Sequence, residues 1–131
     1  MIEKQNKALK YDELYKGFIS SFSDDKDTIN AIAAENAVDD EDGMHIAFGM
    51  VVLPFLSRLV EENQTAKIEK AFAYFEEMAS SDDHLISEVL EFTVIEGIIA
   101  LGNDFVSKCI SYMKPHTYDS FKAISQNFNQ P

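Results

Sequence analysis

One cysteine and three histidines are the only residues in this 131-residue chain that could assemble a thiol nucleophile and its base. Cys109 would need His45, His84 or His116 beside it, so that an imidazole could take the thiol proton. Its surroundings argue against this. Phe105, Val106, Cys109, Ile110 and Met113 share one helical stripe, and a thiol buried among apolar groups keeps its proton and stays inert. A metal is the next possibility, because Asp40, Asp42 and Gly43 are spaced like the start of a calcium loop. In that register the first ligand would be Val38 and the last Gly49, neither of which offers a carboxylate. These acids are expected to form a solvated turn. A di-iron bundle needs Glu-x-x-His pairs on facing helices, and the sequence has none. No metal or other cofactor is expected.

Glu96 is the one carboxylate on which an enzyme or small-ligand site could rest. It comes after Phe92, where the helix has become apolar on nearly every side. An unpaired carboxylate there would be costly and would respond by holding its proton. The sequence predicts that Glu96 is buried and hydrogen-bonded, with Arg58, the sole arginine, or a tyrosine hydroxyl as partner. A lone carboxylate without a second titratable group makes a poor active site.

The element that carries Glu96 is also the one around which the rest of the chain is organised. From Asp83 to Leu101, Leu85, Ile86, Val89 and Leu90 form one stripe, opposite His84, Glu88 and Glu91. Phe92, Ile95 and Ile99 then continue along the side those glutamates had kept polar, so the second half should be covered all round. Ile86, Val89, Leu90 and Ile98 are expected at the centre of the protein. Ser81 or Asp82 should start this helix, and Gly102 should end it as a left-handed cap.

The wrapping helices follow from the same periodicity. Tyr11, Leu14, Tyr15, Phe18 and Phe22 make a first stripe. Ser23 can cap a second helix, with Asp24, Asp25 and Asp27 in its first turn and Ile29, Ile32 and Ala33 inside. VDDEDG then makes a turn. The apolar stretch from Met44 to Asn63 contains Pro54, which has no N–H for the carbonyl of Met50, so a kink or break is expected there. Ile68, Ala71, Phe72, Phe75 and Ala79 mark the fourth helix. Asn103 can cap the next, Pro115 stops it, and Tyr118, Phe121, Ile124 and Phe128 line the last.

No segment alternates with period two as a strand would. The fold class is therefore all-α: a single domain of about seven antiparallel helices, as a bundle or a short HEAT-like stack, with residues 1–10 and 129–131 frayed. The hydrophobic fraction of 46% supplies a core without disulfides. A lone cysteine and a lysine-bearing N-terminus without an apolar run point to the cytoplasm. Residues 44–60 are barely long enough to span a membrane and contain Pro54, Ser57 and Arg58, so they read as a core helix.

Charge narrows the partners. Residues 24–96 hold 18 acids against 4 bases, whereas both flanks are nearly balanced. Such a surface repels nucleic acid and anionic membranes and attracts a basic protein. Asp24, Asp25, Asp82 and Asp83 stand at helix starts, where the dipole explains them. Glu61, Glu62, Glu76 and Glu77 stand near helix ends, where it does not. With antiparallel neighbours, Asp39, Asp40, Glu41 and Asp42 should converge with Glu76, Glu77, Asp82 and Asp83 on one negative tip, the candidate partner-binding site.

The order of an acidic turn, HIAFGMVVLPFLSRLVEE, KIEKAFAYFEEM and ISEVLEFTVIEGI resembles small acidic helical immunity proteins of bacterial polymorphic-toxin and contact-dependent growth-inhibition systems, over residues 44–100. The resemblance implies a non-catalytic all-α protein that neutralises one cognate toxin domain, often a basic nuclease, in the cytoplasm. It carries over no individual site residue. Two other readings stand beside it: a helical adaptor for a different protein, and an enzyme or ligand binder built on Glu96. Oligomeric state is not legible.

Overall fold

Phe18 is the hub of the core. Its ring packs against Phe22, Phe48, Phe55, Tyr74 and Phe75, with centroid separations of 4.9 to 6.4 Å. Three segments that are distant in sequence meet there. The computed structural model describes residues 9–39 and 41–128, the last of these by its backbone. Among the described residues there are seven helices and no strand, so the protein is all-α. The expected fraying of residues 1–10 and 129–131 falls largely on residues 1–8 and 129–131, outside that range.

A 3-10 turn, Tyr11–Glu13, leads into α1, Leu14–Ser21. A second, Ser23–Asp25, leads into α2, Lys26–Glu35. Ser23 therefore lies in the turn and caps nothing; the Asp25 carboxylate reaches Lys67 at 2.9 Å instead. Helix α2 ends with Ala37 at φ 56°. The Val38 and Ala37 amides donate back to the carbonyls of Ala33 and Ala34, a Schellman closure built without glycine.

Helix α3, Met44–Glu61, is continuous. Pro54 produces no break. A π-helical turn, Phe48–Val52, widens the helix just before the proline. By length and composition alone α3 could cross a membrane, but Phe48, Val51, Val52, Phe55, Leu56, Leu59 and Val60 are buried in the core. Asn63, at φ 56°, closes α3, with the amides of Asn63 and Gln64 bonded to the carbonyls of Val60 and Leu59. Helix α4, Thr65–Ala79, returns alongside.

The central helix, α5, spans residues 84–100 and contains a second π turn, Leu90–Ile95. Ile86, Val89, Leu90 and Ile98 are buried as the stripe predicts. Phe92 is not, with half of its surface exposed. The π turn places one more residue in the loop than an α turn does, so Phe92 and Ile95 no longer share a face. Asp83, rather than Ser81 or Asp82, caps α5 by accepting from the Leu85 amide at 3.0 Å. Gly102 comes next at φ 108°, ψ 167°, a positive-φ stop but not the left-handed helical conformation expected of it. Asn103 is already inside α6, Asn103–Ile110, and makes no capping bond. Helix α7, Pro115–Phe128, completes the domain.

Candidate functional site

Helices α3 and α5 lie side by side and run in the same direction. His45 Nδ1 and Thr93 Oγ1 are 2.5 Å apart. Gly49 also faces Thr93, and Gly97 faces Leu53 so closely that a Cβ there would overlap the leucine methyl. Missing side chains thus set the closeness of this seam. Both π turns fall on it, Phe48–Val52 opposite Leu90–Ile95.

The predicted acidic residues separate into three kinds. Asp39, Glu41 and Asp42 form an exposed turn that folds on itself: the Asp39 amide donates to Asp42 Oδ2 at 2.8 Å and the Glu41 amide to Asp39 Oδ1 at 2.9 Å. Asp40 lies outside the described residues. Glu77, Asp82 and Asp83 are exposed, and Asp83 is partly spent on capping α5. Glu76 is different.

The Glu76 carboxylate holds the start of α7. Oε1 accepts from the Thr117 amide and hydroxyl, both at 2.9 Å, and Oε2 from the His116 amide at 3.0 Å and from His116 Nδ1 at 2.7 Å. Burial pushes this carboxyl up, but the hydrogen bonds from Thr117 and His116 outweigh it, and the net is a pKa below the ordinary carboxylate value. Folding therefore explains Glu76, contrary to the expectation that its place near a helix end leaves it without a structural role. Neither Lys114 nor Pro115 has a side-chain oxygen to cap the amides of His116 and Thr117, so a distant acid supplies it.

The acidic turn and the start of α5 share an end of the stack, with an offset. His45, just after the turn, sits beside Thr93, ten residues along α5 from Asp83, or about 15 Å at the helical rise. The middle of α5 carries acids of its own. Glu88 and Glu91 are both half-buried there, and burial followed by repulsion from Glu88 raises the Glu91 pKa. In the sequence these two read only as a polar stripe; their i, i+3 spacing is the signal that marks them.

Glu96 is half-buried and makes no hydrogen bond among the described residues, and Arg58 is exposed without pairing to it. The expectation of a buried, bonded acid is corrected. Glu96 adjoins Gly97, which packs against Leu53 at the seam.

Cys109 is fully buried, and burial pushes its thiol up to about 12. At neutral pH it is a protonated core side chain rather than a nucleophile. His45 is engaged with Thr93, and His116 with Glu76. Among the described residues no three His, Cys, Asp or Glu side chains are placed to hold a metal ion.

Comparison with curated proteins and with solved structures finds no match. The family described as a domain of unknown function, DUF7674, matches residues 15–129, from the first helix to the last, and the chain belongs to that family.

Proposed function

We propose that this chain is a non-catalytic binding protein that captures a basic protein partner through its acidic face, and that it acts in the cytoplasm as an immunity protein neutralising a cognate toxin domain. The observation that carries the binding reading is uncompensated charge. Asp39, Glu41, Asp42, Glu77, Asp82, Glu88 and Glu96 have no cationic partner among the described residues, whose ion pairs involve Asp25, Glu76 and Asp119. Such a field steers a basic partner to the surface and repels phosphate-rich ones. The toxin assignment rests on the resemblance over residues 44–100.

The test is co-expression with the protein encoded beside it, read as complex formation and as growth of cells that express the toxin domain. Association should slow as salt rises, because opposed potentials are screened over about 8 Å at physiological ionic strength. Asp39→Lys with Asp42→Lys, and separately Glu77→Lys with Asp82→Lys, should weaken the complex and leave the fold intact. Full binding and protection by both variants would sink the electrostatic mechanism. Binding of a neutral regulatory protein without protection would favour the adaptor reading.

A further inference from the structure

Ile46, Met50 and Phe92 are large apolar side chains left 42%, 42% and 50% exposed, and the parallel seam gathers them on one side. His45, Gly49 and Leu53 of α3 face Thr93 and Gly97 of α5. One residue onward along α3, Ile46 and Met50 turn about 100° away from the seam. One residue back along α5, Phe92 and Glu96 turn by the same angle in the opposite sense. For helices running in the same direction, these two rotations lead to the same face. The result is an apolar strip over a seam that Gly49 and Gly97 keep shallow.

Acid borders the strip on both sides. Glu88 and Glu96 stand about one helical turn before and after Phe92. On the other side, Asn36 bonds to the Met50 carbonyl at 2.7 Å and leads directly into the turn that bears Asp39 and Asp42. Met50 and Phe92 each lie within a π turn, the kind of irregularity that recurs at functional positions.

We infer that this strip is the docking site for a lysine- or arginine-rich amphipathic helix of the partner, an assignment that rests on the reading of the chain as a binder of a basic protein. The apolar strip takes side chains at i, i+3 and i+4 of the incoming helix, and the acidic borders take its flanking bases. Two parallel helices offer a groove into which a third packs by ridges and grooves. Among the described residues there is no strand edge for an extended peptide to extend.

Two synthetic helical peptides test this, sharing leucines at i, i+3, i+4 and i+7 but carrying lysine in one and glutamate in the other at every charged position. Titrated by fluorescence anisotropy against the full chain, the lysine peptide should bind and the glutamate peptide should bind at least tenfold more weakly. Phe92→Ser and Met50→Ser should each weaken the lysine peptide about tenfold, and so should Glu88→Lys combined with Glu96→Lys, which leaves the apolar strip intact. Tyr118→Ser, which removes an exposed aromatic on α7, should bind like wild type, with circular dichroism confirming that every variant is folded. Failure of the lysine peptide to bind wild type, equal binding of the two peptides, or wild-type affinity in Phe92→Ser overturns the assignment. A dimer that dissolves in Phe92→Ser would give the strip to a second copy of the chain and overturn it too. A toxin domain captured equally by wild type and Phe92→Ser sinks the strip and leaves the functional reading standing; peptide binding through the strip without protection of cells does the reverse.

Discussion

The side-chain amide of Asn36 donates to the carbonyl oxygen of Met50 across 2.7 Å. Met50 is four residues before Pro54, so its carbonyl is the one that the proline ring cannot serve. The end of α2 thereby repairs a defect within α3. Asn36→Ala should cost about 1 kcal/mol, the usual worth of one such bond, measured as a lower urea midpoint at unchanged slope. Asn36→Asp should be at least as harmful, since it sets an acceptor against an acceptor.

Gly17 and Tyr74 form a second long-range dependency. The Tyr74 hydroxyl donates to the Leu14 carbonyl at 2.7 Å, and a Cβ on Gly17 would stand 2.6 Å from that hydroxyl. Burial, with the Glu77 charge behind it, pushes the Tyr74 pKa up to about 12, so it remains a donor. Gly→Ala inside a helix ordinarily stabilises by about 0.5 to 1 kcal/mol. Here Gly17→Ala should destabilise by about 1 to 3 kcal/mol through crowding. In a Tyr74→Phe background the penalty should shrink, giving a non-additive double-mutant cycle.

The Glu76 clasp makes α7 sensitive to acid. Its folded pKa lies below the ordinary value of 4.5, so its contribution is complete above the unfolded pKa and is lost as pH falls through the folded one. Glu76→Gln should be less stable than wild type at pH 7, and the difference should close below pH 4.5. Denaturant titrations at several pH values, followed by helical circular dichroism, would reveal a gap independent of pH if the clasp were unimportant.

Ala37 occupies a left-handed position that an L-residue adopts at a cost of about 1 kcal/mol or more. Ala37→Gly should relieve that strain and raise stability by about 0.5 to 1 kcal/mol. Asn63→Gly, at the same φ, should gain less, because asparagine tolerates this conformation. Thermal melts of the two single variants make the comparison.

Local periodicity makes most of the helices legible. Leu14, Phe18 and Phe22, then Ile68, Phe72 and Phe75, then Ile86, Val89, Leu90 and Ile98 are buried where their spacing puts them. The features that escape it depend on partners far along the chain or on a change of helical pitch. Asn36 lies 14 residues from Met50 and His116 lies 40 from Glu76, separations that no sequence window reads. Phe92 and Glu96 depart from expectation because uniform helical spacing does not hold through a π turn. Of the candidate site, the exposed acids at Asp39, Glu41, Asp42, Glu77 and Asp82 are legible from charge and turn chemistry alone, whereas Glu76 belongs to the scaffold.

The paired π turns have a consequence for how this protein can change its length. A π turn is a single inserted residue that the helix has absorbed locally, so that the flanking α segments stay in phase. Deleting one residue from Phe48–Val52 or from Leu90–Ile95 can restore the regular i→i+4 pitch without rotating the downstream half of the helix. The same deletion in Thr65–Ala79 would swing every later side chain of that helix by about 100° and turn its core face outward. The α3–α5 seam is thus a place where loss of a single residue can reshape the surface while the flanking helical segments keep their phase.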